Sequence, residues 1–232
     1  MCIRDRYKNK FDLSYGHIPF NANEKIDRGI EYFTFFRTPR EHLLSGYRHL
    51  KGDGNHGIKK VINVADYSLK DFLKKGLVKN VDNLSVRFLA GQIDKPFLEI
   101  NEADLQQAIR NFDANFHIFG LTEYFDESLV LLSDYMKWPT LYYVRENKSS
   151  YTIDPKELDD ETEQLIARCT QYDKILYAHA REKFIQLMQE KRTVLDAGLI
   201  KLREGNKNFK TILSLRNKAS LFYSYIRRKL NQ

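Results

Sequence analysis

Between Glu31 and Leu50 the hydrophobic period of the chain changes within three residues, and that change admits few folds. Glu31-Tyr32-Phe33-Thr34-Phe35-Phe36 is β-prone and apolar on both faces, the pattern of a strand buried on both sides in a largely parallel sheet. A helix pattern follows at once. Thr38 stands where an N-cap belongs, Pro39 at the first helical position and Glu41 three residues after the cap, the capping-box arrangement. Leu43, Leu44, Tyr47 and Leu50 then form an apolar stripe at helical spacing. A buried strand feeding directly into a capped helix is the unit of an α/β sheet.

The rest of the chain repeats the alternation. Gly52 to Gly57 is a loop, and a capped helix is expected from Ser68 to about Val78. Asn101 caps a helix through Phe112, and Phe116-His117-Ile118-Phe119-Gly120 reads as a second buried strand. Thr122 is placed to cap a helix carrying Phe125, Leu129, Leu132 and Met136. A short strand over Thr140 to Val144 leads into the polar loop Arg145 to Ser150. From Asp159 a long amphipathic helix runs through Leu165, Ile166, Cys169, Tyr172, Leu176, Phe184 and Leu187 and ends before about Gly198. The expected fold class is α/β, a parallel sheet flanked by helices, in one domain over residues 7–198. Residues 199–232 are read as a basic helical tail and 1–6 as a scar joined to a chain already in progress, with no apolar core of a signal peptide.

The 232 residues are enough for a sizeable core, and no stretch approaches a membrane span. The net charge of +7 suggests an anionic partner until its location is examined. Lys207, Lys210, Arg216, Lys218, Arg227, Arg228 and Lys229 hold all of it, and no acid accompanies them. Removing those seven from the 38 bases leaves 31, matching the 31 acids of the first 206 residues. The body is therefore neutral. No nucleic-acid partner is expected, and contact with an anionic surface is assigned to residues 207–232. Cys2 and Cys169 are a poor disulfide pair on spacing and make no metal-ligand pattern with any histidine.

The segment most suggestive of chemistry is Arg37 to Ser45. An arginine at the C-terminal end of a buried strand, followed by a helix N-terminus, sits where open α/β sheets bind ligands, and the helix end favours an anion. The guanidinium takes a phosphate bidentately, and Ser45 adds a hydroxyl. The same pattern equally suits an Arg paired with an acid and a Ser packed on its helix. Of the six histidines, His42 and His49 are seven residues apart on one helix, and none has the spacing of a metal pair.

Glu31 through Tyr47 resembles the 3′-phosphate-binding element of sulfotransferases that use 3′-phosphoadenosine 5′-phosphosulfate (PAPS), in which an Arg ends the strand and a Ser follows eight residues later. Three other stretches agree. Gly16-His17-Ile18-Pro19-Phe20 is similar to the family's Gly-His-x-Pro-Phe, and Asn83 to Gly91 and Phe119 to Leu129 resemble two later blocks. Asp173 to Phe184 fits a further one. Within the family the resemblance is closest to the heparan sulfate 2-O-sulfotransferase-like group. It implies a P-loop-NTPase-like sheet and sulfuryl transfer from PAPS, without a metal, to a hydroxyl acceptor, most plausibly a carbohydrate. Arg37 and Ser45 would hold the 3′-phosphate and His17 would be the general base. Beside these, Arg87 could reach the cofactor or an anionic acceptor, although an Arg beside Glu-rich helices is more often a structural ion pair, and Lys148 could close over the adenosine end, although a solvated turn is the default for its loop.

Departures from the family pattern carry expectations too. Arg37-Thr38-Pro39 stands where the family has Arg-Asp-Pro, a mild change because Asp and Thr both cap helices. The family's phosphosulfate loop, Pro-Lys-x-Gly-Gly-Thr/Ser after a first strand, has no counterpart, which implies a sheet short of that strand and a reading frame truncated at its N-terminus. The resemblance implies a Golgi membrane setting if the source is eukaryotic and a cytoplasmic one if bacterial. Two rival readings are a P-loop kinase-like phosphotransferase, which needs Mg²⁺ ligands, and a non-catalytic module docking through the basic tail on an anionic surface or glycan.

Overall fold

A computed structural model of the chain describes residues 18–20, 32–52, 66–78, 81–139, 142–143 and 151–209. Its elements run β1 (Phe35–Phe36), α1 (Pro39–Gly52), α2 (Leu69–Lys75), α3 (Leu84–Ala90), α4 (Glu102–Asn115), β2 (Gly120–Leu121), α5 (Phe125–Met136), α6 (Asp160–Cys169) and α7 (Gln171–Glu190), followed by a helix over 192–209, α8. The class is α/β with helix predominating. The chain divides into two units, Met1–Glu123 with Ser149–Lys183, and Tyr124–Lys148 with Phe184–Gln232.

In the first unit β1 and β2 pair in parallel, Phe35 opposite Gly120 and Phe36 opposite Leu121. Both strands are shorter than their apolar runs predict. Phe116 still closes α4, its N–H donating to Phe112 O at 3.0 Å, so the second run enters the sheet only at Gly120. Residues 32–34 then have no β2 residues opposite them, although Thr34 O accepts the Gly120 N–H at 2.8 Å. Of the stretch expected as a third strand, Tyr142 and Tyr143 are described and are not strand.

The core follows the helical stripes. Leu43, Leu44 and Tyr47 of α1 pack with Leu69, Phe72 and Leu73 of α2 and with Ile166 and Cys169 of α6, while Leu50 is only partly buried. Burial pushes the Cys169 thiol up to about 12, with Asp82 adding to the effect, so it stays a neutral packing group. A second aromatic cluster lies beside the strands, with Phe112 edge-on to Phe36 at 5.3 Å and to Phe119 at 4.8 Å. The helix starts at Ser68, Asn101 and Asp159 carry the expected side-chain caps, and Asn101 and Asp104 form a full capping box.

The long helix expected from Asp159 is instead two in sequence. Asn83 causes the break at Thr170: its N–H donates to Cys169 O at 2.7 Å, and its Oδ1 accepts the N–H groups of Tyr172 and Asp173 at 2.9 and 3.3 Å. Asp173 returns the arrangement, its carboxylate accepting the N–H groups of Ser85 and Val86 at 3.1 and 2.9 Å. Each of α3 and α7 thus begins on a side chain supplied by the other.

Burial raises the Asp173 carboxyl to about 6 against the pull of those two N–H groups. The folded state therefore binds a proton that the unfolded chain releases near pH 4, so between pH 4 and 6 this group makes stability fall as pH rises. Asp173→Asn removes the titration. The stability difference between wild type and the variant is expected to grow by roughly 1–3 kcal/mol in favour of wild type on acidification from pH 6.5 to 4.5. Urea titrations at the two pH values check this, and a pH-independent difference refutes it.

In the second unit α5 buries Leu129, Val130, Leu131 and Leu132. α8 supplies Leu195 and Leu202 and continues through Gly198, where the sequence suggested a helix end and a boundary before the tail. The glycine serves packing: a Cβ there would overlap the Val130 side chain. Nearby, Asn206 Oδ1 accepts the Tyr143 N–H at 2.9 Å, and the Tyr143 hydroxyl donates to Asp126 at 2.7 Å.

Candidate functional site

Arg37 leaves the C-terminal end of β1, one residue past the last pair of the sheet. Its side chain is half-buried, and among the described residues it has neither an ion pair nor a hydrogen bond. Ser45 is half-buried on α1, beside the buried Leu43, Leu44 and Tyr47. The neighbouring arginine behaves differently. Arg40 forks onto Glu163 of α6, Nε to Oε2 at 3.1 Å and Nη2 to Oε1 at 2.5 Å, and also donates to Glu41 at 3.0 Å. That pairing raises Arg40 and lowers Glu163. Of two arginines three residues apart, one is committed to the scaffold and the other points its charge to no described acid.

The turn carrying Arg37 is held in a way the local sequence does not announce. In a capping box Glu41 would accept the Thr38 N–H; here Glu41 instead takes Arg40 and, at 2.9 Å, Arg48. The Thr38 N–H donates to Glu123 Oε1 at 2.9 Å. Glu123 lies two residues past β2 as Thr38 lies two past β1, so the parallel register brings them side by side. Its other oxygen accepts the Tyr177 hydroxyl of α7 at 3.1 Å. Partial burial works to raise the Glu123 carboxyl, but the Thr38 N–H, the Tyr177 hydroxyl and other donors outweigh it and hold the group below its usual range.

Of the roles open to Arg87, the structural ion pair is the one found, and the substrate-binding one is corrected. The side chain is fully buried, paired with an equally buried Asp82 at 2.7 Å. Its five N–H donors are all taken: Nε by Asp82 O, Nη1 by the carbonyls of Gln92 and Lys95, Nη2 by Asp82 Oδ1 and Pro96 O, at 2.6 to 3.3 Å. With every donor spent on the 82–96 turn, none is left for an anion. His17 and Lys148 lie outside the described residues.

Sequence reasoning also passed over His179. Its Nε2 lies 2.8 Å from Asp113 Oδ1, which Lys183 also contacts at 2.7 Å, and the hydrogen bonds from Lys183 and His179 hold Asp113 below its usual range despite partial burial. The i, i+4 spacing of His179 and Lys183 on α7 was the available signal. The second unit has a cleft of about 450 Å³ where aliphatic side chains of α5 and α8 meet Trp138 and Pro139, with Asp134, Lys137 and Lys201 also in its lining; none of the candidate site residues lines it. Among the described residues no three His, Cys, Asp or Glu side chains gather to hold a metal ion, and no helix is long and apolar enough to cross a membrane.

In comparison with known proteins, the galactose-3-O-sulfotransferase family model matches residues 31–228. The aligned region begins at the run that becomes β1 and takes in Arg37, Ser45, Glu123 and most of the basic C-terminal stretch. The sulfotransferase resemblance is thereby borne out, with the match falling on the galactose-3-O group where the motifs had suggested the heparan sulfate 2-O group. No curated protein and no solved structure matches the chain.

Proposed function

The chain belongs to the galactose-3-O-sulfotransferase family, and on that premise we propose that it moves the sulfuryl group of PAPS to a hydroxyl of a carbohydrate acceptor, with Arg37 and Ser45 on the 3′-phosphate of the donor and His17 as general base. Sulfuryl transfer is what the family does; the donor, the acceptor and the roles of these residues are the proposal. The observation that carries it is the Arg37 guanidinium at the C-terminal edge of the parallel pair, half-buried and unpaired among the described residues. A guanidinium is the donor that takes a phosphate monoester bidentately, and the Ser45 hydroxyl of α1 is assigned the second contact.

The chemistry required of the protein is modest. The acceptor hydroxyl attacks sulfur in line with the departing 5′-phosphate oxygen, as in phosphoryl transfer. As the new S–O bond forms, the proton of that hydroxyl passes to the neutral His17 imidazole, and the bond to the phosphate oxygen breaks to release 3′-phosphoadenosine 5′-phosphate (PAP). Arg37 and Ser45 act only on the end of the donor remote from sulfur, so their contribution is to orientation and affinity. The architecture that goes with this reading is P-loop-like, and the compartment, for a eukaryotic source, is the Golgi, where members of the family work.

The test is transfer of labelled sulfate from PAPS to galactose-terminated oligosaccharides by the full gene product. His17→Ala is expected to lower kcat by about 10²–10⁴-fold with PAP affinity retained. Wild-type turnover in that variant would remove the base, and failure of every saccharide acceptor alongside PAP binding would remove the carbohydrate.

A further inference from the structure

Glu123 is absorbed by none of these roles, yet its contacts bear on the proposed donor site. The peptide N–H of Thr38 belongs to the plane that joins Arg37 to Thr38. Fixing that N–H fixes the ψ of Arg37 and the direction in which its side chain leaves the strand. As the N–H of a residue capping α1, it has no partner in the helix ladder, and Glu41, the local acceptor, is occupied by Arg40 and Arg48. The acceptor that remains is Glu123 Oε1 at 2.9 Å. That carboxylate is itself braced from the far side by the Tyr177 hydroxyl at 3.1 Å, so it cannot swing away without breaking a second bond. A backbone donor held by an ionised acceptor makes the stronger, shorter kind of hydrogen bond. From this geometry we infer that Glu123 is a positioning residue for the nucleotide 3′-phosphate: it clamps the Arg37–Thr38 peptide so that the guanidinium is aimed before the ligand arrives.

The inference rests on the proposal that Arg37 binds that phosphate, and it sharpens it in a direction simple electrostatics would not choose. A carboxylate within two residues of an anion site repels the anion, and the α1 N-terminus and the two donors offset that repulsion only in part. Reach and charge therefore pull apart. Glu123→Asp keeps the charge but withdraws the oxygen by one methylene, and Glu123→Gln keeps an oxygen for the Thr38 N–H but removes the charge. Calorimetric titration of the full chain with PAP reads the difference. Glu123→Asp and Glu123→Ala are expected to weaken PAP binding fivefold or more, while Glu123→Gln rescues it to the wild-type value or tighter. In an Arg37→Ala background Glu123→Asp is expected to add less than twofold, because there is no longer a guanidinium to aim.

Thermal melts of the same variants separate loss of the clamp from loss of the fold, and Glu123→Asp carries the test should Glu123→Ala not fold. Wild-type PAP affinity in Glu123→Asp, Gln binding as weakly as Asp, or additive losses in the double variant would each overturn the clamp while leaving Arg37 in its role. If Arg37→Ala itself binds PAP as the wild type does, the proposed donor site falls, and the clamp with it.

Discussion

Replacing Arg87 with Met is expected to destabilise the protein by about 3–5 kcal/mol, because it strands a buried carboxylate rather than because it removes a favourable pair. Asp82 shares the full burial of its partner, so without the guanidinium it must either hold an uncompensated charge or take up a proton. The carbonyls of Asp82 and Lys95 lose their described donor in the same step, while those of Gln92 and Pro96 keep the N–H groups of Lys95 and Glu99, and each orphaned acceptor adds to the loss. For a chain of this length about 10 °C or more in Tm follows, read by circular dichroism. Arg87→Lys is expected to recover only part of it, since one ammonium cannot serve five acceptors spread over the 82–96 turn. A melting temperature within 2–3 °C of wild type in Arg87→Met, roughly one kcal/mol, would show that the turn stands without its centre.

Arg37→Ala is expected to do the reverse, sparing the fold and removing the ligand. The half-buried side chain makes neither an ion pair nor a hydrogen bond among the described residues, so its truncation should cost no more than about 1 kcal/mol. A charge-assisted bidentate contact to phosphate is worth about 1.5–3 kcal/mol, so PAP affinity should fall by roughly 10- to 100-fold. Arg40→Ala supplies the contrast: it breaks a scaffold ion pair with Glu163 and is expected to move PAP affinity far less. Equal effects of the two substitutions on PAP binding would mean that general positive charge, and not the placed guanidinium, attracts the nucleotide. Calorimetry at two ionic strengths distinguishes the cases, because a screened, non-specific attraction weakens with salt for both variants alike.

Much of the scaffold was readable because its signals are local. Ser68, Asn101 and Asp159 announce helix starts from within four residues, and the α1 stripe names its own buried face. The run ending at Phe36 identifies β1, and the turn from strand to helix singles out Arg37. What stayed hidden depends on partners distant in the chain. The break at Thr170 is made by Asn83, and the clamp on Thr38 is made by Glu123, a residue whose relevance exists only once the two strands have chosen their register. For Arg87 the ion pair was readable as a possibility, but the full use of its donors was not, because most of its acceptors are backbone carbonyls, which a sequence does not display. Gly198 looked like a helix end because its use is to admit the Val130 side chain.

The exchange of caps between Asn83 and Asp173 has a consequence for how the molecule is made. The first turn of α3 is completed by a side chain 87 and 88 residues further along, and the start of α7 is completed by one 89 and 90 residues back. On the ribosome, α3 therefore emerges with two backbone donors facing water and keeps them so until the chain has passed Asp173. Its earlier neighbours along the chain cannot finish it. The intervening span includes all of α5, which belongs to the other unit, so the first unit closes only after part of the second has been synthesised. Contacts of such separation set a slow pace for folding, and they make Asp173 the point after which the first unit can lock.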